Sequence, residues 1–182
     1  MLTSDPCSLL DRVANDQQAR FVELAKDHDG QGGKTTDSSR CEARLALTLE
    51  AHGILTPTVV RPLWGEAEDG HGQVWDFKAP HSREAIMYRI ATKAAIGGGP
   101  APPVAAGALL GEFDVKTAVK SAIAQQLVEK GVVFDLRRLT IDQARTLINE
   151  VEAEPSIDPS LVRYFPKSED LVTLEQGGQD GI

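Results

Sequence analysis

Asp76 and Lys78 stand two positions apart in the run Val74-Trp75-Asp76-Phe77-Lys78-Ala79, which Pro80 closes. The run is short and aromatic, as a buried strand is. Strand side chains alternate between faces, so Asp76 and Lys78 share one face while Trp75 and Phe77 share the other. A carboxylate beside an ammonium suits metal-assisted cleavage of a phosphodiester. The acid holds a divalent cation, and the lysine orients the attacking water or balances developing charge. Asp-x-Lys alone is a weak signal, because solvated strands also alternate charges.

Other residues are spaced to join that pair. Glu66 lies ten positions before Asp76, on the near side of a turn read over Glu66–Gly72, with Glu68 and Asp69 competing for its role. Glu42 falls one turn into a helix. There it is either a third acid beside the metal or, three residues after Ser39, a capping-box glutamate, and the two roles are compatible. Gln125 and Gln126 come late in a further helix, placed to position a nucleophile or a phosphate, or to sit as plain surface amides. Lys116 and Lys120 are one turn apart and share a face, as backbone contacts or as solubilising charges. The glycine-rich stretch Gly30–Thr36 lacks the first glycine of a phosphate loop. His28, His52, His71 and His81 have no zinc spacing. Cys41 has no evident activating base, and no serine sits in a nucleophile elbow.

With 182 residues, 41% of them hydrophobic, the chain can bury one sizeable core. It has no apolar run long enough to cross a bilayer and no basic-then-apolar start, so neither a membrane span nor a secretory leader is expected. Two cysteines, Cys7 and Cys41, allow one bridge but no framework, and a reducing compartment is the default expectation. The net charge of −8 argues against a generic nucleic-acid binder. Acids gather toward both ends, whereas Lys78, Arg83, Lys116, Lys120 and Arg137 give the middle a basic character.

The elements that must position these groups follow from periodicity and punctuation. A helix is expected over residues 6–26, then a loop over His28–Ser38, then a helix from Ser39 that stops at Gly53. Thr58–Trp64 reads as extended and returns after the turn as Gln73–Lys78, a hairpin. Ser82 caps a helix over Arg83–Ala95, and residues 97–111 are a Gly/Pro/Ala-rich linker or lid. Asp114 caps a helix over Val115–Lys130 that Gly131 stops. Val132–Leu136 is a β-branched strand, and Thr140 with Gln143 opens a last helix to Glu152. The order predicts an α/β domain with a mixed sheet and flanking helices.

Glu42 on an early helix, the hairpin with Trp75-Asp76-Phe77-Lys78, then Arg83 and the run Val132-Val133-Phe134-Asp135-Leu136-Arg137 resemble the PD-(D/E)xK nuclease superfamily. The nearest likeness is to C-terminal toxin domains of bacterial contact-dependent inhibition and related polymorphic toxin systems. It covers about residues 39–150. The resemblance implies a restriction-endonuclease-like core in a domain over 39–166; outside the resemblance, the residues themselves read as an N-terminal helix and loop over 1–38 and a flexible tail over 167–182. It implies a metal-dependent nuclease acting on RNA, transfer RNA above all. Asp76, Glu66 and Glu42 would be the metal ligands and Lys78 the catalytic lysine. Arg83, Lys116, Lys120, Gln125 and Arg137 would hold substrate. Magnesium is the implied ion, with manganese or zinc as alternatives. Partners would be RNA and a cognate immunity protein, and the site of action the bacterial cytoplasm, reached by delivery within a larger secreted protein. Where the family has an aspartate ending the first hairpin strand, this chain reads Leu63-Trp64-Gly65-Glu66, leaving the place to Glu66 or to Asp69. An acidic interaction protein without activity, and a DNA nuclease, are the competing classes.

Overall fold

The computed structural model describes residues 12–27, 33–80 and 113–171. Cys7, the helix expected over Arg83–Ala95 with Arg83 and its Ser82 cap, the 97–111 segment and the tail beyond 171 lie outside the described residues. Helix α1 (Gln18–Leu24) follows a 3-10 turn at Asn15–Gln17, so the described helix is shorter than the one expected over 6–26. Strand β1 (Lys26–Asp27), at the end of the helix expected over 6–26, pairs antiparallel with β2 (Lys34–Thr35), inside the loop expected over His28–Ser38, with Lys26 opposite Thr35.

Helix α2 (Asp37–Ala51) is built of alanine, leucine and other strong helix formers. Its capping box is Thr36 with Ser39, which corrects the expected pairing of Ser39 with Glu42. Ser39 N–H donates to Thr36 Oγ1 at 3.1 Å, and Thr36 N–H donates to Ser39 Oγ at 2.9 Å. Ser39 takes this place because it is buried, and its hydroxyl also donates to the Ala25 carbonyl at 2.7 Å, fastening α2 to the end of α1. Gly53 ends the helix as expected. At φ 65 it takes the left-handed position, and the Ile54 N–H returns to the Leu49 carbonyl at 2.9 Å.

Strands β3 (Ala67–Glu68) and β4 (Val74–Lys78) form the hairpin, in register Ala67 opposite Trp75 and Glu68 opposite Val74. The first strand therefore lies inside the stretch expected to be turn. Thr58–Trp64 contributes one antiparallel bridge, Val60 with Glu68, because Pro57 and Pro62 remove ladder donors on either side. The turn itself belongs to Asp69. Its Oδ1 accepts the His71 and Gln73 N–H groups at 2.9 and 3.1 Å, and its Oδ2 accepts the Trp75 indole N–H at 3.0 Å.

Asp114 caps helix α3 (Val115–Gln126), accepting the Thr117 N–H at 3.0 Å. This helix ends earlier than Lys130, and its stop is Glu129 at φ 61. The Lys130 N–H returns to the Gln125 carbonyl and the Glu129 N–H to that of Gln126, both at 3.0 Å. Gly131 instead opens strand β5 (Gly131–Asp135), where a Cβ would lie 2.5 Å from the Trp75 ring. Helix α4 (Ile141–Ala153) starts at the expected Thr140–Gln143 capping box, and strand β6 (Val162–Phe165) follows a 3-10 turn at Pro159–Leu161.

The sheet order is β3-β4-β5-β6, a mixed open sheet with antiparallel and parallel strands. The class is α/β, with four α-helices among the described residues. Packing divides the chain into two compact units, Met1–Phe77 with Gln125–Val133, and Lys78–Ala124 with Phe134–Ile182. In the first unit, Leu45, Ala46, Leu49, Leu55, Val59 and Trp75 are buried; in the second, Phe134, Leu136, Leu147, Val151 and Phe165. The first unit also holds a latch. Arg20 donates to both Glu50 oxygens at 2.7 Å, and Glu50 Oε2 accepts the Val59 N–H at 2.7 Å. Cys41 is disulfide-bonded.

Candidate functional site

Asp76 is buried at 8% exposure between Trp75 at 2% and Phe77 at 8%, so β4 is covered on both faces. Burying a carboxylate is unfavourable unless other groups compensate it, so the neighbours decide what it can do. Trp75 is fixed on one side by Asp69 and fitted on another against Gly131.

Glu66 comes to Asp76 through the backbone. Its N–H donates to the Trp75 carbonyl at 3.3 Å, and its carboxylate accepts the Phe77 N–H. Because Ala67 is also opposite Trp75, two residues face one, the count of a β-bulge. Bulges re-aim side chains, and this one delivers the Glu66 carboxylate to the peptide joining Asp76 to Phe77. Asp69, the rival for that place, is occupied by the turn.

Glu42 joins by way of a cation. Its Oε2 accepts Arg61 Nη1 at 2.8 Å, and its Oε1 accepts the Ser38 hydroxyl at 3.1 Å. The Arg61 side chain is 6% exposed, and the same Nη1 reaches the Glu66 carbonyl at 3.2 Å. Arg61 thus links the α2 acid to the residue beside Asp76. Nothing in Val59-Val60-Arg61-Pro62 marks it in the sequence; its burial does.

Lys78 ends β4 half-buried, on the face of Asp76 by strand alternation. Lys116 and Lys120 are exposed on α3. Gln125 and Gln126 are half-buried at its end, where their carbonyls close the helix. Arg137 is committed to Asp135. Its Nε and Nη2 meet the two carboxylate oxygens at 2.8 Å each, and the guanidinium lies 4.8 Å from the Phe165 ring centroid. Arg83 lies outside the described residues.

Among the described residues, no three His, Cys, Asp or Glu side chains gather as a metal-holding group. Magnesium, however, is commonly held by one or two carboxylates together with waters and substrate phosphate. Asp76 and Glu66 fit that minimal donor set, and Glu42, bound to Arg61, is not needed for it. Comparisons with protein-family models, curated proteins and solved structures give no match.

Proposed function

We propose that this chain is a divalent-metal-dependent nuclease with a restriction-endonuclease-like core, hydrolysing RNA and most of all transfer RNA. The observation that carries the reading is the buried Asp76 with the Glu66 carboxylate brought to its own peptide by a bulge. Magnesium, or manganese or zinc in its place, held by Asp76 and Glu66 would polarise the scissile phosphate. Lys78, on the same strand face, would hold the attacking water or offset charge at the phosphoryl oxygens. Glu42 acts through Arg61 and is a positioning residue in this scheme. Lys116 and Lys120, exposed one turn apart, suit contacts to the RNA backbone.

The preference for RNA, the role as a delivered toxin in the cytoplasm of a target bacterium, and the cognate immunity protein rest on the resemblance to toxin domains. The disulfide at Cys41 favours a chain that passes through an oxidising compartment. A second reading, a catalytically silent acidic interaction protein, is favoured by the Glu42–Arg61 ion pair, which closes one of the expected metal ligands. The test uses purified protein with transfer RNA and with DNA, in magnesium, in manganese and in chelator. Asp76→Asn should abolish cutting while keeping the urea midpoint near that of the parent. Cutting at the parental rate by that variant refutes the nuclease; DNA cleavage alone would transfer the site to the DNA-nuclease class.

A further inference from the structure

Trp64 lies two residues before Glu66 and is 50% exposed, unlike Trp75, which is 2% exposed. The Lys130 ammonium stands 5.3 Å from the centroid of its ring. Both residues belong to the first compact unit. The indole is not carried on a loose arm. Gly65, which follows it, has φ 109, and a Cβ there would meet Val74 Cγ1 at 2.6 Å with Lys130 Cε at 3.8 Å. Only glycine lets the backbone lie this close to β4. Lys130 is likewise anchored, its N–H returning to the Gln125 carbonyl at 3.0 Å to close helix α3.

A fixed, half-exposed indole with an ammonium over one face of its ring offers what an unpaired nucleotide uses: aromatic surface for its base and a cation for its phosphate. Two residues of chain span at most about 7 Å, so this platform adjoins Glu66. We propose that Trp64 and Lys130 form a stacking site for an unpaired base of single-stranded RNA, next to the cleavage centre. The site's place beside a scissile phosphate rests on the nuclease reading; its ability to bind RNA does not. Exposed Leu63 at 78% and Leu127 at 79% would alternatively mark a protein-docking patch, and the test separates the two.

Binding is measured in chelator by fluorescence anisotropy of a short labelled single-stranded oligouridine. Trp64→Ala should weaken binding roughly tenfold or more, with Trp64→Phe intermediate. Lys130→Ala should weaken it and lower the slope of log affinity against log salt by about one. The near-ultraviolet signal of buried Trp75 checks that each variant is folded. Parental affinity in Trp64→Ala overturns the proposal, as does a change in association state of that variant with unchanged RNA affinity. Trp64-dependent binding by a parent that cuts no RNA would sink the nuclease reading and leave this site. RNA cutting by a parent whose Trp64→Ala variant binds and cuts equally well would do the reverse.

Discussion

Two aspartates in this chain share a pattern and have different surroundings. Asp76-Phe77-Lys78, within β4, and Asp135-Leu136-Arg137, which leaves the last residue of β5, each place a base two residues after an acid. Asp135, at 2% exposure, is closed on itself: Arg137 grips both of its oxygens, and the Arg137 N–H adds a bond at 3.2 Å. Guanidinium geometry permits that bidentate grip, whereas an ammonium is a point charge. Next to Asp76, the Glu66 carboxylate accepts the N–H of Phe77. The same spacing therefore accompanies a bidentate ion pair at Asp135 and, beside Asp76, a glutamate bonded to the next backbone amide. Identity of the base and the presence of a bulge distinguish them.

The sharpest way to break this comparison is to remove the two bases in turn. Arg137→Ala strands a buried carboxylate and should lower the unfolding free energy by about 3–5 kcal/mol in urea titration. Lys78→Ala, at the half-buried end of β4, should cost no more than about 1 kcal/mol while reducing cleavage. Equal losses of stability would show that both pairs are structural.

A smaller effect tests an ion pair away from either aspartate. Glu50 is held below the usual carboxylate range, chiefly by the hydrogen bond from Arg20, against the opposing effect of burial. Its folded pKa lies below its unfolded one. The latch therefore contributes fully above the ordinary glutamate pKa and is lost as pH falls through the folded value. Urea midpoints of the parent should drop on acidification over that window, and Glu50→Gln should flatten that limb of the curve. An unchanged acid limb would remove Glu50 from the account.

The smallest change concerns Tyr164, whose hydroxyl is buried without a hydrogen-bond partner among the described residues. Burial, and then the charge of Glu152, raise its pKa. Tyr164→Phe keeps the stack on Phe134, whose ring centroid is 6.1 Å away, and removes an unsatisfied group. Its stability should stay within about 0.5 kcal/mol of the parent, or rise. A loss above about 1 kcal/mol would mean the hydroxyl is satisfied.

Much of the local structure is legible in the residues. The Thr140–Gln143 box, the Asp114 cap, the Gly53 stop and the strand ending at Lys78 follow from short-range rules, and the strand expected over Val132–Leu136 is found one residue earlier, at Gly131–Asp135. Strand β3 is not legible in the same way, since Ala67-Glu68 carries no strand propensity and exists because β4 and Val60 pair with it. Asp69-Gly70 is a turn signal that places the hairpin correctly once the side-chain bonds of Asp69 are considered. The choice of Ser39 over Glu42 as partner in the cap depends on burial against Ala25, a contact fourteen residues away.

Sequence by itself determined the starts of α3 and α4, the stop of α2 and the end of β4, because caps, glycines and alternation act over a few residues. It also determined that Asp76 and Lys78 share a strand face. Tertiary structure alone decided that the Glu66 carboxylate would bond the amide beside Asp76, that Arg61 would bind Glu42, and that Asp135 would be closed by Arg137. Those outcomes depend on burial and on pairing between segments distant in the chain, and no short-range rule contains them.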